Sequence, residues 1–341
     1  MKSTIYLFLL SFLFLASCEQ LFLKEESQNT PTAIFEDAWN FADQEYSFFA
    51  YKGVDWDEVK SRYQPLVNDN MSEEELFEVL ADMLFELRDG HVNLRSDFDR
   101  SRNWTWYLNS PPNFSLPLLE RSYFKSEQQF WGPFTVYDFE DVGYMRYSSF
   151  GDGISNGVLD DILTRFAERK GLIIDLRDNG GGSLGNAQTF VRRFAEQEQT
   201  IGRWRFKSGP GHEEFTDWED VSVTPAKDGE DALRPHFYGP VMVLTNRLSY
   251  SATTFFTQYM RELPNVTILG DTTGGGGGAP SFTELANGWV LRVSATQLEA
   301  LDGFNVEDGI PPDVQIDLDP VDEANGIDTI LEEALRLIRE M

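Results

Sequence analysis

Five short apolar runs separated by helix-period segments constrain this chain more than any other feature. VGYMRYSSF (142–150) and GLIIDLR (171–177) read as strands, and between them Ile154, Val158, Ile162 and Phe166 recur at helical spacing. NAQTFVRRFAEQ follows as a helix, then VMVLTNR, VTILG and WVLRVSATQL as strands. A closing helix, DTILEEALRLIREM, is striped by Ile330, Leu331, Leu335 and Ile338. Strands alternating with helices point to a layered α/β core, assigned to residues 139–341. Residues 203–240 interrupt it with a long polar stretch containing Trp204 and Phe206. That stretch is read as a flap over a cleft, with a solvated insert of no role as the other reading.

The N-terminal part has a different period. From about Thr32 to Leu87 the pattern is helical, with Phe35, Trp39, Tyr46, Phe49, Trp56 and Val59 supplying apolar faces broken by YKGVDWD. Ser72 and Glu75 form a capping box ahead of the stripe Leu76, Val79, Leu80, Met83, Leu84 and Leu87. Residues 32–95 are therefore expected as a small all-α domain ending at RDGHVNL. Residues 96–138 lack clean periodicity and are read as a connector with irregular strands.

The first 20 residues, MKSTIYLFLLSFLFLASCEQ, carry one lysine, an apolar run from Ile5 to Leu15 and a small-residue finish. The run is short for a bilayer span and has the layout of a secretory signal. Residues 1–17 are read as that signal and 18–31 as a polar tether. The chain of 341 residues has one cysteine, so no internal disulfide is possible and core packing must hold it together. The formal net charge of −29 argues against nucleic acid and anionic membrane surfaces as partners.

Ser251 stands where the strand VMVLT ends and the helical pattern of Phe255, Phe256 and Met260 begins. Serine at such a junction is ordinarily an N-cap; it can also be a nucleophile held beside backbone N–H groups that stabilise an oxyanion. The glycine run in IIDLRDNGGGS lacks dinucleotide and P-loop spacing, and suits a tight turn or half of such an oxyanion site. A second run, Gly274 to Gly278, also lacks a lysine. Of the three histidines, His91 follows an apolar helix while His212 and His236 fall in the polar insert. No His/Cys/Asp cluster has metal-ligand spacing, and neither a metal nor a cofactor is expected. The absence of G-x-S-x-G argues against an α/β-hydrolase esterase.

The ordered segments LRDGHV, GLIIDLRDNGGG, VMVLTNRLSYSATTFF, ILGDTTGGGGG and NVEDGIPPDV resemble the tail-specific, or C-terminal processing, peptidase family. Within it they are similar to the tricorn-like and retinoid-binding-protein-like branch. The resemblance implies a crotonase/Clp-like α/β catalytic core behind a helical domain, and a peptide or unfolded protein as substrate. It places Ser251 on the nucleophile, with Ala252 and Gly181 on the two oxyanion backbone donors. Gly276 falls where dyad members carry a lysine, so a Ser/Lys dyad is not available there. The tricorn-like histidine falls on His91 and the glutamate that orients it on Glu307. Gly90 stands where a helper serine is found, and Thr254 where a glutamate is usual. Too few residues separate His91 from the core for a PDZ domain. Leu15, Ala16, Ser17 and Cys18 resemble the bacterial lipobox, which implies lipidation of Cys18 and a lipid-anchored protein of the bacterial envelope; an ordinary signal with an incidental cysteine is the other reading. The function expected is a serine peptidase of Ser/His/Glu type, and the alternative is an inactive family member that binds a ligand or peptide.

Lipidation of Cys18 has a direct check. The mature N-terminus should carry a diacylglyceryl-modified Cys18 by mass spectrometry, and Cys18→Ala should leave the membrane fraction; an unmodified cysteine would refute the assignment.

Overall fold

The computed structural model describes residues 28–103, 108–225 and 233–341. Residues 1–17, read above as a signal, Cys18 and most of the stretch read as a tether lie outside the described residues, among which no helix is long and apolar enough to cross a membrane. The chain begins with helices α1 (Pro31–Glu45), α2 (Phe49–Lys52), α3 (Trp56–Tyr63) and α4 (Glu73–Phe85). Their starts follow from local chemistry: Asp55 caps α3 through the Glu58 N–H at 3.0 Å, and the Ser72/Glu75 box closes in both directions at 3.2 and 2.8 Å. Gly53, at φ 62°, ends α2 in a left-handed turn, which is why YKGVDWD breaks the pattern.

The strands, in chain order, are β1 (Asn93–Arg95), β2 (Gln129–Trp131), β3 (Phe134–Phe139), β4 (Val142–Tyr147), β5 (Gly171–Asp175), β6 (Gln199–Phe206) and β7 (Glu219–Val223). They continue with β8 (Val241–Thr245), β9 (Val266–Gly270), β10 (Pro280–Glu284), β11 (Val290–Ser294), β12 (Thr296–Glu299) and β13 (Val314–Gln315). Seven of them form the central sheet in the order β13-β9-β8-β5-β4-β3-β2, parallel from β13 to β4 and antiparallel beyond. Residues 129–138, counted in sequence with the connector, thus extend this sheet.

Strand periodicity divides the sheet's side chains between two cores. Leu172, Ile174, Val241, Val243 and Ile268 face helices α5 (Asn156–Phe166), α6 (Leu184–Val191) and α7 (Ala252–Arg261). Ile173, Met242, Leu244 and Leu269 face the segment 116–124 and the last helix, α8 (Thr329–Glu340). Burial on both faces explains why these strands read as unbroken apolar runs.

The N-terminal domain is not purely helical. Its core of Phe35, Trp39, Trp56, Leu80 and Met83 is completed by Leu94 and by Leu285, Trp289, Leu291 and Val293 from residues far along the chain. The sheet β1-β11-β10 carries this contribution. Charge and periodicity near residue 290 gave no sign of which core those side chains join.

The polar insert is also a correction. Instead of a loose flap, it supplies β6 and β7, which pair with β12 in a third sheet. Trp204 stacks on Phe255 of α7 with centroids 5.1 Å apart, so it packs against the core rather than hanging over a cleft, while Phe206 is exposed. His212 from the same insert meets Asp43 at 2.8 Å and stacks on Phe49 at 4.2 Å, which ties the insert to the helical domain.

Beneath the first glycine run lies a fully buried charge cluster. Arg177 reaches Asp175 at 2.6 Å and Asp328 at 2.9 Å, and Tyr144 donates to Asp175 at 2.9 Å. Burial opposes ionisation of Asp175, but the Arg177 charge more than offsets it and holds the carboxyl below the usual range. Arg177→Met should leave two buried carboxylates uncompensated and cost about 3–5 kcal/mol, measured as a lower urea midpoint.

Candidate active site

The site forms at the carboxyl ends of β5 and β8, where open parallel sheets commonly bind ligands. After β8 the chain turns through Asn246–Tyr250 into α7, and Ser251 sits at the turn with φ 59° and ψ −123°. A non-glycine residue in this region costs about 1–3 kcal/mol and persists only where its surroundings fix it. Here they do. Ser251 N–H donates to the Gly275 carbonyl at 2.9 Å, Tyr250 N–H to Asn179 at 3.0 Å, and Ser249 Oγ to Leu176 at 2.8 Å. Thr253 and Thr254 hydroxyls bind the Asn179 and Gly275 carbonyls at 2.9 and 2.8 Å. Thr254 therefore pins the turn to the second glycine run. The Ser251 hydroxyl makes no cap to α7, so the N-cap role is not the one it fills.

His91 Nε2 lies 2.8 Å from Ser251 Oγ. The ring is buried and edge-on to Tyr250, with centroids 4.9 Å apart. Its backbone is fixed by the RDGH turn: Asp89 Oδ1 accepts the His91 N–H at 2.7 Å, Asn93 Nδ2 donates to the His91 carbonyl at 2.9 Å, and Arg102 Nε to the Gly90 carbonyl at 3.0 Å. Nδ1 closes no hydrogen bond of normal geometry, although the Gly278 carbonyl is near enough to favour the charged ring. A ring protonated at Nδ1 leaves Nε2 as acceptor for the serine hydroxyl.

Glu307 does not reach His91. Its carboxylate accepts from Lys52 Nζ at 2.5 Å and from the Gly277 N–H at 2.8 Å, so it fixes the second glycine run and docks α2. The carboxylate whose charge acts most strongly on His91 is Asp89, which also accepts from Ser294 Oγ at 2.8 Å and lies 3.9 Å from Lys52. Two carboxylates and one ammonium share this buried pocket, so one cation serves both acids. Burial first and Asp89 second push Glu307 up to about 7, while Lys52 and Gly277 pull it back. Burial pushes His91 down to about 4, with Asp89 opposing and Arg292 and Arg102 adding to the depression. The ring is neutral at pH 7, the state a general base needs.

Gly181 is pressed against the nucleophile. A Cβ there, at φ 92°, would lie 2.8 Å from both the Ala252 nitrogen and Ser251 Cβ and 2.5 Å from the Tyr250 carbonyl. Ala252 N–H is the first of α7 and has no intrahelical acceptor. Gly181 N–H, expected as its companion donor, instead donates to Asn179 Oδ1 at 3.0 Å. Gly276, at φ 76°, abuts the Tyr250 ring, where a Cβ would come within 2.6 Å, so no side chain fits where dyad members carry lysine.

Sequence reasoning missed Asp89 and Lys52. Asp89 could have been found, since an Asp two residues before a histidine can hold its backbone. Lys52, in YKG, carries no local signal.

Comparison with known proteins gives the chain's relatives. The profile for peptidase family S41 matches residues 141–316, and that for the tricorn protease C1 domain matches residues 27–85. A crystal structure from Parabacteroides merdae ATCC 43184, described provisionally as a peptidase, is 41% identical with a TM-score of 0.85, covering 91% of this chain and 97% of that one. The carboxy-terminal processing protease CtpA of Bacillus subtilis (strain 168) is 26% identical over 180 residues, 52% of this chain and 35% of its own. The chain thus spans about a third of the length of the curated relatives it matches. Mature CPAF is 12% identical with a TM-score of 0.66, covering 91% of this chain and 96% of that one, a likeness of fold alone.

The backbone at Ser251 supplies a test free of any assay for activity. Both Ser251→Gly and Ser251→Ala lose the hydroxyl, but only glycine relieves the strain. The glycine variant should be more stable than the alanine variant by about 1 kcal/mol in urea unfolding, reversing the usual order; a more stable alanine variant would show an unstrained turn.

Proposed function

The chain belongs to peptidase family S41, and we propose that it is a serine peptidase in which Ser251 attacks the peptide carbonyl and His91 is the base. The observation that carries this reading is the 2.8 Å contact between His91 Nε2 and Ser251 Oγ, made by a hydroxyl that forms no helix cap. As Oγ attacks, its proton passes to Nε2, and the oxyanion develops beside the Ala252 N–H. His91 then returns the proton to the departing amine, and water, activated by the same ring, releases the acyl group. The Asp89 carboxylate stabilises the imidazolium. In this scheme Asp89 takes the share of that work first expected of Glu307, and Glu307 holds Lys52 and Gly277 in place.

A histidine base is favoured over a lysine. Lys52 pairs with Glu307, and those acidic neighbours raise its pKa against the opposing effect of burial, which keeps it cationic. Peptides or unfolded polypeptides are the proposed substrates, and a lipid on Cys18 the proposed tether to the bacterial envelope.

One observation favours the inactive binder as a second reading. Gly181 N–H is occupied by Asn179, so only one oxyanion donor stands ready. A fluorophosphonate probe separates the two: labelling lost in Ser251→Ala supports catalysis, and an unlabelled wild type supports the binder.

The pH profile tests the base. Because neutral imidazole is the reactive form, kcat/KM should rise with pH through an apparent pKa near the about 4 set by burial and stay level above about pH 6. His91→Ala should lower kcat by at least ~10³-fold. A rate climbing only above pH 9 would point to a lysine instead.

A further inference from the structure

We propose that a cavity outside the active site, walled by Arg192, Arg193, Arg234 and His236, is a binding site for a phosphate-class oxyanion. Such a site is independent of whether Ser251 is a nucleophile.

The cavity forms where the first residue of α5, the end of α6 and the residues next to β7 and before β8 come together, and it encloses about 130 Å³. That is room for several waters or for one tetrahedral anion. Three arginines line it with His236, Asn156, Thr189 and Thr224, and among the described residues no carboxylate does. The chain holds 57 acidic residues against 28 basic ones, so a wall with three cations and no acid runs against its composition. Thr224, Arg234 and His236 belong to the polar insert, which thereby supplies one side of a ligand cavity. The helix α6, eight residues and about 12 Å long, separates the cavity from the first glycine run.

The wall is held in place by the protein's own bonds. Arg193 is 3% exposed, and its guanidinium donates to the Pro235 carbonyl at 3.0 Å and to the Asn156 carbonyl and Oδ1 at 3.3 and 3.1 Å. Phe237 N–H donates to the Arg193 carbonyl at 2.9 Å, which pins the approach to β8 onto the end of α6. Asp160, which does not line the cavity, pairs with Arg193 at 2.7 Å and with Arg234 at 2.6 Å. Arg192 is different: it is exposed, and among the described residues its guanidinium has neither a hydrogen bond nor an ion pair. A free guanidinium fork at a preformed polar cavity matches two oxygens of one oxyanion.

His236 narrows the class of anion. Its Nδ1–H donates to the Arg234 carbonyl at 2.8 Å, and its ring stacks on Tyr238 with centroids 5.7 Å apart. In the neutral ring this tautomer leaves Nε2 as an acceptor. Hydrogen phosphate has an O–H to offer that nitrogen, whereas sulfate at neutral pH has none. The arginine supplies charge, and the histidine distinguishes between anions of the same shape.

The phosphate can be free or can be the monoester of a larger molecule, and calorimetry on the full-length protein separates the two. Inorganic phosphate, glycerol 3-phosphate and sulfate are titrated at pH 7 and low ionic strength in a phosphate-free buffer. Inorganic phosphate or the monoester should saturate the protein with a Kd below about 1 mM, and the tighter of the two names the source. Sulfate should bind about fivefold more weakly, the worth of one hydrogen bond. Arg192→Gln should weaken phosphate binding about tenfold, with part restored in Arg192→Lys. His236→Phe should bring phosphate down to the level of sulfate, and thermal melts without anion confirm that each variant is folded. Absence of saturable heat with both phosphate and its monoester, or an affinity unchanged by Arg192→Gln, would overturn the site. Sulfate binding as tightly as phosphate would overturn its assignment to phosphate.

Discussion

The hydrogen bond between Ser251 and His91 spans two hydrophobic cores that the chain builds separately. The serine belongs to the sheet core through β8 and α7, and the histidine to the helical core through the turn after α4. Neither core contains both groups, so the site exists only where the two dock. The docking is polar and specific: Ser47 Oγ donates to the Thr296 carbonyl at 2.9 Å, and Lys52 meets Glu307. Polar groups buried at such a seam are costly if the register slips by even one residue. The seam therefore fixes a geometry that apolar contact alone would leave loose.

The two glycine runs play different parts in holding the nucleophile. The first lets backbone approach Ser251 so closely that any side chain at Gly181 would collide with it. The second is a strap, receiving the Ser251 N–H and the Thr254 hydroxyl at Gly275 and offering the Gly277 N–H to Glu307. Through that strap the strained serine turn is mechanically linked to Lys52 and so to the helical domain. Strain at Ser251 is sustained because both neighbours of the turn are themselves anchored, one by Arg177 and its two carboxylates, the other by Glu307.

Much of this was legible in the sequence, for identifiable reasons. Doubly buried strands leave continuous apolar runs and caps leave polar signatures at fixed offsets; the layered core and the α4 capping box followed from these, while Gly181 was set beside Ser251 by the resemblance. Ser251 and His91 were found by resemblance, since 160 residues of separation carry no periodic signal. The misplacements share a cause. β11 joins the helical core, the insert becomes a sheet, and Glu307 pairs with Lys52, all through contacts between segments remote in sequence. A lone Lys in YKG or an Arg in a strand says nothing of the carboxylate or the histidine it will meet.

The charges around His91 are arranged unequally, and this asymmetry has a chemical consequence. Asp89 favours the imidazolium, while burial, the largest influence, and then Arg292 and Arg102 oppose it. In the free protein the sum leaves the base weak.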